Sequence, residues 1–233
     1  MHFKQFRDFL TEEKKNSDPI FCKYFYRPIS LYLAWIIFNL GISANQVTFS
    51  SIFLTCIGSI FYCTGDFTNS IIGSIFFIFV GITDCIDGNL ARAYKKLSFQ
   101  GSWLDAVSGY FIYAFQPLSI AIFIERNNPK FLFSGYWILC GSLVSILNLL
   151  SRVIYQKYLN LIKTSNGKEL NVDHKKDFSI GNELGLVGFM MPLLFIATLS
   201  SNLILYIYSY LIIYFFTSIY VFLSINKKIK KYL

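Results

Sequence analysis

The chain has 233 residues, 55% of them hydrophobic and 15% charged, and its 21 Lys and Arg against 13 Asp and Glu give a net charge of +8. With a mean hydropathy of +0.50, it carries more apolar residues than a soluble core requires, which excludes a soluble domain and indicates an all-α, polytopic membrane protein. In such a chain the positive charge reports topology and contact with anionic lipid, and it does not read as nucleic-acid binding.

Residues 1–44 mix charges with aromatics, and no early apolar run ends in a small-residue cleavage site, so they are expected to stay attached. Within them, FCKYFYRPISLYLAWIIFNL (21–40) has the length of a span, but Lys23, Arg27 and Pro28 interrupt its start. An interfacial helix is expected there; a span would put the N-terminal basic residues on the wrong side. Next, Gly41-Ile-Ser43-Ala-Asn45-Gln-Val-Thr48 is a helix-start signal in which Ser43 or Asn45 caps backbone amides.

Spans need about 20 apolar residues, and six are read, at 46–63, 70–93, 99–124, 132–156, 184–200 and 203–224. Pro117 and Pro192 fall within spans, Gly141-x-x-x-Ser145 permits close helix contact, and Tyr62, Tyr136 and Tyr206 near span ends suit an interfacial aromatic belt. No repeat or linker divides the chain. We therefore expect an N-terminal cytoplasmic or interfacial segment (1–44), a six-helix membrane domain (45–225) and a basic cytoplasmic tail (226–233). Nineteen of the basic residues fall on one side of this arrangement and only Arg126 and Lys130 on the other. The positive-inside rule then puts both termini and the turn after residue 92 at the cytoplasmic face.

The polar end of the second and third spans carries the most information. Asp84, Asp87, Gly88 and Ala91 fall at i, i+3, i+4 and i+7 and share one helix face, while Gly101, Asp105 and Gly109 recur every fourth residue on the next helix. Carboxylates at membrane depth are costly unless compensated, so they are functional candidates. Three acids converging from two helices suit Mg²⁺ or Mn²⁺, hard cations that share their shells with substrate phosphates. The alternative is an interfacial loop whose acids pair with Arg92, Lys95 and Lys96.

The run Asp84-x-x-Asp87-Gly88-x-x-Ala91-Arg92, followed after eight residues by Gly101-x-x-x-Asp105, resembles the signature of the CDP-alcohol phosphatidyltransferases, integral membrane enzymes of phospholipid-type synthesis. The resemblance implies a metal-dependent transferase that moves a phosphate-linked group from a CDP-activated donor to an alcohol-type acceptor and releases CMP, in phospholipid or related glycoconjugate synthesis. It implies Mg²⁺ or Mn²⁺ on Asp84, Asp87 and Asp105, with Arg92 assisting at phosphate and Gly88, Ala91 and Gly101 giving the nucleotide close access to backbone. Asn45, Thr48 and Ser98 match further positions on the CDP side, although capping or a turn also accounts for them. A homodimer is implied as well. The family signature ends in a fourth Asp, a ligand of the second metal and the presumed general base, and here that position is Gly109.

Glycine fills neither role, so the base must be another residue, water, or dispensable because the acceptor presents an oxygen that needs no deprotonation, such as that of a phosphate or phosphonate. Glu183, at the mouth of the fifth span, and His174, in the polar 157–182 loop, are the substitute bases considered; a Glu at a helix start is also a common dipole partner. Two rival functions stay open: a CDP-binding pseudoenzyme or scaffold, and a divalent-cation carrier, which has no evident need for Gly88-x-x-Ala91-Arg92. His2 and His174 lack the partners of a zinc site. The five cysteines lack C-x-x-C spacing, read as buried thiols and imply no disulfide framework.

Overall fold

The computed structural model describes residues 1–9, 18–95, 98–129, 132–164 and 183–230, and among these there is no β-strand. A short helix α1 (Phe3–Arg7) precedes a π-helical turn, Cys22–Tyr26, that runs into α2 (Arg27–Asn39). The bundle follows as α3 (Ala44–Cys63), α4 (Phe67–Ala93), α5 (Phe99–Asn127), α6 (Tyr136–Thr164), a second π-helical segment Leu186–Met190 leading into α7 (Met191–Leu199), and α8 (Leu203–Lys230). Helices α3, α4, α5, α6 and α8 are long and apolar enough to cross a bilayer, and Leu186–Leu199 forms a shorter apolar sixth segment. The protein is thus an all-α, multi-pass membrane protein.

Helix ends differ from the sequence expectation where polar residues continue an amphipathic face. Helix α6 runs to Thr164, beyond the expected limit at 156, and α8 continues through Lys228 toward Lys230. The segment expected to span at 184–200 is broken. Gly188 has non-helical backbone angles (φ −88°, ψ −129°), so the break falls inside Leu186–Met190, while the backbone at Met190 is helical and runs on into α7. Breaking a helix inside a membrane frees backbone groups that need partners, and three tyrosines supply them. Leu186 N–H donates to the Tyr113 hydroxyl at 3.0 Å, while Tyr206 and Tyr210 hydroxyls donate to the carbonyls of Met190 and Leu184.

This duty overturns part of the aromatic-belt expectation. Tyr206 is buried in the bundle, and so is Tyr62, whose hydroxyl lies 2.6 Å from that of Thr198. Gly141 permits close contact as read: a Cβ there would stand 2.4 Å from the Cβ of Ala121 and 2.7 Å from the carbonyl oxygen of Pro117. Ser145, one turn on, donates to the Ala114 carbonyl of α5. The main core lies among α3, α4, α5, α6, α7 and α8 around Phe77, Ile120, Trp137 and Leu194. A second cluster joins Phe6, Cys22, Tyr26 and Ala34 to the far end of α4 at Ile82, Cys85, Ile86 and Leu90. The N-terminal segment is therefore packed on the helix that carries the acidic signature.

Candidate active site

Three helix ends meet at the site, and each is fixed by a local cap. Ser43 caps α3 in a reciprocal box with Gln46. With Ser43 capping, Asn45 is left to face α5: a Cβ on Gly101 would stand 3.2 Å from its Oδ1. Ser98 caps α5, its hydroxyl accepting from Gly101 N–H at 3.0 Å. Between α4 and α5 the chain reverses through Lys95 in the left-handed region (φ 51°).

On α4, Asp87 is buried, and Thr48 Oγ1 of α3 donates to its Oδ2 at 2.6 Å. That bond fixes the orientation of the carboxylate. Arg92 Nη2 donates to Asn89 Oδ1 at 2.8 Å, while its Nε is buried without a hydrogen-bond partner among the described residues. The Arg92 guanidinium reaches back along α4 over Gly88, where a Cβ would stand 3.5 Å from it, an ordinary contact distance.

Three cavities adjoin around the acids. One of about 550 Å³ is lined by all seven residues expected on the nucleotide side, Asn45, Thr48, Gly88, Ala91, Arg92, Ser98 and Gly101, together with Asp87 and Asp105. A second, of about 300 Å³, borders Asp84, Asp87 and Asp105. The third, of about 480 Å³, borders Asp84 and Asp105 and extends past Gly109 to Tyr113, Asn148, Arg152 and Tyr155. Asp105 lines all three cavities, Asp84 and Asp87 two each. The two acidic stripes therefore face common space from α4 and α5.

Among the described residues no three His, Cys, Asp or Glu side chains close tightly on one point. The donor set is three carboxylates around an open cavity, which fits a hard cation that keeps waters and takes substrate phosphate oxygens into its shell. Among the described residues Gly109 is no packing glycine: a Cβ there would meet none of their atoms within 4 Å. Room for an acid exists where the acid is missing.

Of the substitute bases, His174 lies outside the described residues. Glu183 accepts from Ile20 N–H through both carboxylate oxygens, at 3.2 and 3.0 Å, and borders none of the three cavities. In this structure it serves as an anionic cap on the helix that begins at Ile20.

The sequence reading missed one wall of the site. Arg27 forms a buried ion pair with Asp18 (2.6 Å) and donates through Nη1 to Asn89 Oδ1 at 2.9 Å, the same oxygen that takes Arg92. Although burial opposes its charge, the Asp18 carboxylate paired with it holds the Arg27 guanidinium above its ordinary pKa. Asn89 Nδ2 in turn donates to Ser30 at 3.3 Å, so α2 and the signature helix share one polar network. The only signal was Arg27 itself, a cation in an apolar run, whose partners lie 9 and 62 positions away.

Arg152 was also passed over. It stacks on the Tyr113 ring, 3.9 Å from its centroid, and its Nε donates to Asn148 Oδ1 at 2.8 Å. Both contacts orient a cation along the cavity that contains Gly109.

Comparison with curated proteins returns no match. The profile of the CDP-alcohol phosphatidyltransferase family matches residues 41–222, a stretch that takes in the three capped helix ends, both acidic stripes and the cavity beyond Gly109. A match over most of the chain, with the signature residues gathered around one set of cavities, means that this protein belongs to the CDP-alcohol phosphatidyltransferase family, a family of transferases.

Proposed function

We propose that the protein transfers a phosphate-linked group from a CDP-activated donor to an oxygen acceptor at the cytoplasmic membrane face, releasing CMP. The observation that carries this reading is the shared space. All seven nucleotide-side residues line one cavity, and that cavity meets the acids Asp87 and Asp105.

In this reading Asp84, Asp87 and Asp105 hold Mg²⁺ or Mn²⁺. The cation, when bound, offsets charge on the pyrophosphate and on the departing CMP. Thr48 fixes the orientation of Asp87, as partners behind a ligand commonly do. Arg92, whose Nε has no hydrogen-bond partner among the described residues, is positioned by Asn89 to donate to a phosphate oxygen. Gly88 and Gly101 leave the nucleotide close access to backbone, and Asn45 and Ser98 offer it polar edges.

The acceptor enters by the cavity that contains Gly109. Among the described residues no carboxylate other than Asp84 and Asp105 borders it, and an acceptor oxygen that is already anionic needs no base. Arg152, stacked on Tyr113, is a cation suited to such an acceptor. A phosphate or phosphonate acceptor is the class this supports. The same missing base supports a second reading, a CDP-binding protein without turnover.

The test is CMP release by the purified protein in lipid with Mg²⁺ or Mn²⁺, a panel of CDP-activated donors, and neutral and anionic acceptors, with Asp84→Ala as the blank. Acceptor-dependent release that the blank lacks, fastest with anionic acceptors, is expected. Release with neutral alcohols alone would remove the anionic-acceptor reading, and metal-dependent CDP binding without release would favour the second reading.

A further inference from the structure

The seam between the N-terminal segment and α4 contains two sulfurs that the chemistry above does not use. Cys22 Sγ and Cys85 Sγ lie 3.4 Å apart, although the residues are 63 positions apart in sequence. The contact is built into the packing. Gly81 and Cys85 are one turn apart on α4, and Cys22 and Tyr26 are the first and last residues of the π-helical turn. At Gly81 a Cβ would stand 2.9 Å from Cζ of Tyr26, so glycine lets the two elements approach and brings the sulfurs together.

Both cysteines are buried, yet both line the cavity of about 300 Å³ that borders Asp84 and Asp87. A small oxidant has a route to them through that opening. Arg27 Nη2 lies 3.9 Å from Cys22 Sγ, a cationic neighbour that favours this sulfur as the nucleophile.

We propose that Cys22 and Cys85 form an oxidation site, a thiol pair that hydrogen peroxide converts to a disulfide joining the N-terminal segment to the signature helix. Cys22 sulfur attacks one peroxide oxygen, the O–O bond breaks, and water leaves with the thiol's proton, giving a sulfenic acid. Cys85 sulfur then attacks that sulfur and displaces a second water. In sum, two thiols and one peroxide give one disulfide and two waters. The sulfurs close from 3.4 Å to about 2.05 Å, a movement that draws the N-terminal turn onto α4 beside Asp84. Reduction by a dithiol reverses it. Transient disulfides of this kind are the form found in reducing compartments. Slower turnover in the linked state follows from that movement and rests on the proposed transferase function.

The experiment treats the full-length protein in lipid with hydrogen peroxide, reads intact mass and proteolytic peptides, and follows CMP release in the same samples. Expected are a loss of two hydrogens in mass, a linked peptide pair containing Cys22 and Cys85, its absence in Cys22→Ser and Cys85→Ser, and reversal by dithiothreitol with recovery of turnover. A variant with Cys56, Cys63 and Cys140 changed to Ser keeps both site sulfurs and is expected to link as the parent does. Independent over-oxidation or alkylation of the two cysteines, with no linked peptide in parent or triple variant, overturns the proposal. Linkage with unchanged turnover would overturn the coupling to the site. If the reduced protein releases no CMP, the transferase reading fails, while the mass measurement still decides the thiol pair.

Discussion

Glycine does opposite work in the two halves of this bundle. At Gly141 and Gly73 it lets helices touch: an added Cβ would stand 2.4 Å from Ala121 Cβ in the first case and 2.8 Å from the Gly58 carbonyl oxygen in the second. At Gly109 it leaves room, with no atom of the described residues within 4 Å of an added Cβ, and at Gly88 and Gly101 the nearest atoms are polar side chains of the site. Recurring small residues in a membrane helix thus mark either a packed seam or a binding space, and only the neighbouring helix tells which.

The sharpest break of this comparison is at Asp87, on the open side. Asp87→Ala removes a buried carboxylate proposed as a metal ligand and should lower CMP release by about 10²-fold or more, with helix content by circular dichroism unchanged. Collapse of the fold instead would make Asp87 a packing residue. On the closed side, Gly141→Val overpacks the contact of α5 with α6 and should cost about 1–3 kcal/mol, read as a lower midpoint of thermal unfolding in detergent. Thr48→Val removes the hydrogen bond that orients Asp87; the expected loss is about tenfold in turnover, on the scale of a hydrogen bond to a charged group, with a raised metal requirement. An unchanged metal titration would separate Thr48 from the cation.

Gly109→Asp should be tolerated within about 1 kcal/mol, because the cavity already has the space, and it should widen acceptor use toward neutral alcohols. A midpoint as low as that of Gly141→Val would show that Gly109 is a packing glycine after all. The smallest effect is expected at Glu183→Gln. The amide oxygen still accepts from Ile20 N–H, so turnover should change less than about threefold, within the range of a helix-end charge. A loss comparable to that at Asp87 would restore Glu183 as the base.

Residue spacing alone exposed the acidic stripes, because one-face periodicity is a local property of a helix, and it placed five long spans because each needs only its own run of apolar residues. It did not expose Asp18, Arg27 and Asn89, or Arg152 with Tyr113 and Asn148. Charge counting assigned both arginines to a membrane face, whereas their roles depend on the groups packed against them. Tyr62 and Tyr206 looked interfacial for the same reason: position along a span does not reveal the buried backbone or hydroxyl that the phenol satisfies.

By itself, then, the sequence determined the class of the protein, its long spans and the residues of its signature, all of which follow from composition and from spacing within single helices. Only the tertiary structure decided that Gly109 opens onto a cavity, that Glu183 caps a helix, that a broken segment is held by three tyrosines, and that Cys22 meets Cys85. Each of these is a distance between groups far apart in the chain, set by how the helices pack, and no local pattern encodes it.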